Sequence, residues 1–270
     1  MLKMGVDSMK PMMEKMSASV NKNSDIDMVR DAIPFSIIQL EGLLEISPDN
    51  EYFLIMAAQS YSAYSYAFIE DKDKKRAKKL YLKGRDHALR VFRKKKDFIK
   101  AISIDTPLDK FILTLEQFGK DDAPALYWNA TCWMQYIGIS LVNVDVLLDF
   151  PKVEAIIHRI IELDEGYYHG FSHLLLGAFY ASRPEFIGGE PEKAKYHFKK
   201  AFELSKSRVL FVHLFFAQYH TVQIQDKELY IQTLEKILSA PVNLFTEMNF
   251  ANEVARRKAS MLLKEVNDYF

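Results

Sequence analysis

At 270 residues and 31.3 kDa, with 49% hydrophobic residues, the chain has enough apolar side chains for a sizeable core and too many for a disordered protein. Its 36 basic residues balance 36 acidic ones, so no global field draws it to nucleic acid, an anionic bilayer or an acidic substrate. A neutral balance fits a neutral or apolar ligand, or a protein partner. Cys132 is the one cysteine, which excludes an internal disulfide, a cysteine zinc site and a CxxC redox pair.

Residues 1–25 carry Met4, Met9, Met12, Met13, Met16 and Val20 at roughly helical spacing, then the polar stretch NKNSD. They read as a flexible leader, amphipathic at best, without the continuous apolar core of a secretory signal. From Asp27 onward apolar residues recur every three or four positions, and no segment sustains a period of two. Residues 26–270 are therefore expected to form a single all-α domain. About eleven helices are expected, near 27–46, 50–69, 73–100, 107–117, 121–142, 150–163, 166–182, 190–205, 208–223, 227–239 and 246–268. Proline agrees with these limits: Pro107 and Pro191 fall where helices start and Pro48 where one has ended. The longest apolar run, Val209 to Ala217, is about half the ~20 residues a membrane-spanning helix needs.

Two helix pairs repeat one pattern. Leu54-x2-Ala57-Ala58-x2-Tyr61 is followed by Ala77-x3-Tyr81, and His173-x2-Leu176-Gly177-x2-Tyr180 by Ala194-x3-Phe198 and then Ala201. Small residues let two helix backbones approach, while the aromatic three or four positions on fills the adjoining groove. This is the tetratricopeptide (TPR) pattern, and it implies stacked antiparallel helix pairs that bury their apolar faces on one another. Both pairs are stretched, by seven and five residues between their halves, so the fold is TPR-like rather than regular.

Candidates for chemistry are few. His169 and His173, four apart on one expected helix face, have a spacing that can hold zinc, but no HExxH accompanies them. They read as packed histidines, as do His213 and His220, and no metal or cofactor is expected. Cys132 sits among Trp128, Trp133 and Met134, an apolar setting that raises a thiol's pKa and makes it inert. No GxSxG, Walker or GxGxxG signature is present, and the chain reads as a binding protein rather than an enzyme. The basic runs Lys72–Lys79 and Arg93–Lys96 lack interleaved aromatics and read as solvated helix faces, not a nucleic-acid site. Two segments, Ala125–Leu141 and Val209–Tyr219, are apolar on nearly every face. Each is either a central core helix or one wall of an apolar cavity. Tyr127, Trp128 and His173, with Tyr61, Tyr64 and Phe68 facing them, are the candidate lining of an apolar groove.

The segment Asp27-x-Val29-Arg30-Asp31-Ala32-x-Pro34-Phe35, the run LEGLLEISPDN and Tyr61–Phe68 come in a recognisable order. They are followed by Leu80-Tyr81-x2-Gly84-Arg85-Asp86, Leu126-Tyr127-Trp128-x-Ala130, Gly188-Gly189-x3-Lys193-Ala194, and a closing stretch with Asn243, Asn249 and Ala255-Arg256-Arg257. In that order and spacing the chain resembles the TatT family, the T components associated with TRAP (tripartite ATP-independent periplasmic) transporters. The resemblance implies a non-enzymatic periplasmic lipoprotein that forms a homotrimer. It also implies docking to the substrate-binding P subunit and an apolar groove or pore suited to a hydrophobic small molecule. The signal peptide and lipidated cysteine of that pattern are absent here, so residues 1–25 are expected to follow a missing signal and lipobox. The other reading is a cytoplasmic TPR-like adaptor that presents a concave face to another protein.

Overall fold

A computed structural model describes residues 2–103, 105–140, 144–183, 185 and 188–270. Among them there are α-helices, short 3₁₀ and π turns, and no strand. The chain groups into two compact units: residues 1–14 with 30–165, and residues 15–29 with 166–270.

The first unit opens with α1 (Leu2–Asp7) and the start of α2 (Lys10–Lys22), which lie within the expected leader. Val6 and Met13 are buried with Leu40, Leu44, Phe53 and Leu54. The Asp7 carboxylate accepts from Ser47 Oγ and Asn50 Nδ2, each at 2.7 Å. The unit continues through α3 (Ile26–Ile46), α4 (Glu51–Tyr64), α5 (Lys74–Val91), α6 (Lys96–Ala101), α7 (Leu108–Leu115), α8 (Ala123–Gly138), α9 (Val144–Leu147) and α10 (Phe150–Asp164). Side chains start the helices where the sequence offers them: Asn50 accepts from the Phe53 N–H and Asp73 from the Arg76 N–H. Pro124 and Pro151 occupy first-turn positions of α8 and α10.

The pairing inferred from the repeat is present. α4 and α5 run antiparallel, Glu70 meeting Tyr81 at the turn while Tyr61 stacks on His87 further along. Gly84 lets α4, α5 and α8 approach closely: a Cβ there would lie 2.8 Å from Cys132 Sγ and 3.2 Å from Ala58 O. A π-helical turn, Ser65–Ile69, prolongs α4 within the stretched connection of this pair. The helix expected over 73–100 is broken after Val91. Phe92, Phe98 and Phe118 pack edge to face at 4.8–5.6 Å, and burying all three turns the chain between α5 and α6. Four consecutive cations also weaken a helix there, and in the turn Arg93 pairs with Asp49 and Lys95 with Asp122. The helix expected over 121–142 ends at Gly138; Leu141 and Val142 lie outside the described residues.

The second unit holds α11 (Phe171–Ala181), α12 (Pro191–Leu204), α13 (Leu210–Phe215), α14 (Lys227–Ser239) and α15 (Asn249–Lys264). α11 and α12 are antiparallel, and Gly177 lets the Phe198 ring within 3.0 Å of where a Cβ would stand. α13 runs on through a second π-helical turn, Phe216–Thr221, and Asp226 then caps α14 through the Leu229 N–H. Leu214, Ala217, Tyr230, Leu234, Ala255 and Ala259 form its core. Arg256 closes α14, donating to the carbonyls of Ile237, Leu238 and Pro241. Asn252 holds the start of α13, accepting from the Leu210 N–H and donating to Arg208 O.

Candidate functional site

In the first unit, α4 with its π turn carries Tyr61, Tyr64 and Phe68, and α8 carries Tyr127 and Trp128. A helix repeats every 3.6 residues, so Tyr64 and Phe68 share a face; their ring centroids are 5.9 Å apart. Tyr127 and Trp128 meet edge to face at 5.0 Å. Phe68, Tyr127 and Trp128 are buried, at 6%, 2% and 5% exposure, and Tyr64 is half-buried. α8 is buried at every position from Ala125 to Trp133, as its all-round apolar sequence requires.

Polar groups follow the edge of this aromatic set. Tyr61 donates its hydroxyl to Glu41 Oε1 at 2.7 Å, and His87 Nε2 lies 3.0 Å from the same oxygen. Arg90 Nη1 lies 3.4 Å from His87 Nδ1 on the other side of the ring. Burial pushes the Glu41 carboxyl up, but the hydrogen bonds from Tyr61 and His87 outweigh it and hold the group below its ordinary value. Burial, reinforced by the Glu41 bond and charge, raises the Tyr61 phenol well above its usual range. Glu41, His87 and Arg90 were not singled out in the sequence. Glu41 stands in the family-like LEGLLEISPDN run, but nothing local shows that three helices bring it to Tyr61.

Deeper between α4 and α8, Ser62 donates to Gln135 Oε1 at 2.7 Å, and Cys132 Sγ approaches Ala58 O at 3.6 Å. Burial pushes the Cys132 thiol up to about 12, the inert character inferred from its neighbours. Ser65 Oγ, Asn129 Oδ1 and Thr131 Oγ1 are buried with no hydrogen-bond partner among the described residues.

His173 belongs to the second unit. The spacing it shares with His169 does not place the two on one helix face: Tyr168, His169 and Gly170 take left-handed backbone conformations, and α11 begins only at Phe171. His169 points its ring at Phe245, 5.0 Å away, while His173 Nδ1 lies 2.9 Å from His197 Nδ1. The partner of His173 is thus on α12, a tertiary contact that no periodicity displays. His213 and His220 pack on Phe202 and Phe216 at 4.7 and 5.2 Å. Burial, then the Lys236 charge, pushes His213 down to about 4.

Antiparallel helix pairs around buried aromatic faces define a helical-repeat scaffold of the TPR-like class. The sequence profile described as TAtT, TRAP transporter T-component, matches residues 22–270, and the chain belongs to that family. Membership implies an accessory role in TRAP transport, which is a transport component rather than an enzyme class. The chain is also 19% identical over 263 residues to an uncharacterised protein of Treponema pallidum (strain Nichols), covering 92% of this chain and 81% of that one.

Proposed function

We propose that the protein is a non-enzymatic periplasmic component of a TRAP-type system that docks the substrate-binding P subunit and holds a hydrophobic solute. The family match over residues 22–270 carries the reading. The aromatic set Tyr61, Tyr64, Phe68, Tyr127 and Trp128 of the first unit is the apolar groove in this proposal, with Glu41 and His87 polarising one edge. A homotrimer is part of it, and on α3 Phe35 and Ile38 are 63% and 68% exposed, apolar area of the kind that subunit contacts cover. A lipid anchor, as the family resemblance implies, is also part of the proposal.

The experiment is native mass spectrometry of the chain alone and mixed with a TRAP-transporter P subunit from the same genome. A trimer that takes up the P subunit is the expected result. A monomer that ignores it overturns the proposal.

A further inference from the structure

On α12 and the turn after it, Lys195, Lys199, Glu203 and Lys206 rim an open groove of about 400 Å³ whose floor is Phe202 and Phe216. The two rings meet edge to face at 5.6 Å and are half-buried, each backed by an imidazole, His213 behind Phe202 and His220 behind Phe216. The floor is apolar, and the rim carries three cations against one carboxylate. None of the three ammonium groups is in an ion pair among the described residues. On a chain of zero net charge, this local excess is a field that favours an anion.

The backbone does not supply the anion site. Lys206 and Ser207 are consecutive left-handed residues, φ 51° and 53°, a shape that can aim N–H groups into a concavity. Here the N–H groups of Lys206, Ser207 and Arg208 are spent on Glu203 O, Phe202 O and Ser205 O at 2.9–3.1 Å. The turn instead sets Lys206 at one end of the groove, opposite Lys195.

We propose that this groove is a binding site for a small amphipathic organic anion, its acid group among the lysines and an aryl or short apolar body on Phe202 and Phe216. Its volume lies at the small end of ligand sites, which fits one or two fused rings rather than a long chain. Ammonium-to-carboxylate bonds are charge-assisted and supply orientation, while the two phenylalanines supply contact area. The site lies wholly in the second unit and does not rest on the aromatic set of the first, so either proposal can fail alone.

The test is calorimetric titration of the full chain with 2-naphthoate and, separately, with uncharged 2-naphthylmethanol. 2-Naphthoate is expected to bind at least tenfold more tightly than the alcohol and to weaken as salt is raised. The double variant Lys195→Gln/Lys199→Gln changes only exposed side chains; it should weaken 2-naphthoate about tenfold and leave the alcohol unchanged. Phe202→Leu should weaken both, with the circular dichroism of the parent retained. Equal binding of acid and alcohol, no binding of millimolar 2-naphthoate, or a double variant that binds it like the parent overturns the proposal.

Discussion

Gly84 gives the sharpest test of the packing. An alanine Cβ at this position lies 2.8 Å from Cys132 Sγ and 3.2 Å from both Ala58 O and Tyr61 Cβ. Helix propensity alone would make Gly84→Ala stabilising by about 1 kcal/mol, whereas overpacking a filled contact costs about 1–3 kcal/mol. The net expectation is a loss of about 1 kcal/mol. Cys132→Ala removes the sulfur and costs about 1 kcal/mol in lost packing, but it makes room for the new methyl. The double variant should therefore be more stable than the sum of the single losses predicts, by about 1–2 kcal/mol of coupling. Equilibrium urea unfolding followed by tryptophan fluorescence reads this locally, because Trp128 and Trp133, the two tryptophans of the chain, both lie on α8 beside Cys132. Midpoint shifts at unchanged slope give the free energies. Additivity within about 0.3–0.5 kcal/mol would show that the Gly84–Cys132 approach does not limit what the three helices tolerate.

Cys132, with its thiol pushed up to about 12, should stay unmodified by a disulfide reagent at pH 8 in the folded protein and react at once in urea; rapid native labelling would contradict the burial. Asp226→Ala removes the bond to the Leu229 N–H and should cost about 1 kcal/mol in urea unfolding, with Asp226→Asn close to the parent. Arg256→Met leaves three carbonyls at the end of α14 without their donor and should cost about 2 kcal/mol. For His213 the folded pKa is depressed to about 4 from 6.5. The unfolded chain therefore takes up its proton first as pH falls, so the stability is complete above about pH 6.5 and lost progressively down to about pH 4. The loss is on the order of 3 kcal/mol, and His213→Phe should flatten that part of the stability–pH profile.

Much of the fold was written in local chemistry. α14 spans 227–239 as its periodicity indicates, and Pro191 opens α12. What periodicity could not show was decided by contacts between elements. The break between α5 and α6 answers to three phenylalanines from separate elements, and the left-handed residues before α11 sit beside Gly170, where any Cβ would strike Leu204 at 2.5 Å. The two π turns keep nearly helical periodicity, so the sequence read them as plain helix. The same division holds at the site. Tyr61 was legible as a large residue on a repeat face, but Glu41 and His87 reach it from α3 and α5, and His173 finds His197 rather than the His169 four residues before it.

Several residues that carry the family resemblance do structural work. Gly84 admits a close helix contact, Asn249 donates to Asn243 and to Lys22 O, and Arg256 closes α14. A substitution among them should lower stability and binding together, because the scaffold yields first. Lys195, Lys199, Phe35 and Ile38 are exposed, so changing them should alter what the protein binds while its unfolding midpoint stays where it was. Binding variants are therefore informative when drawn from these exposed positions, and a loss of partner uptake at constant stability is the signature that separates a recognition surface from a damaged fold.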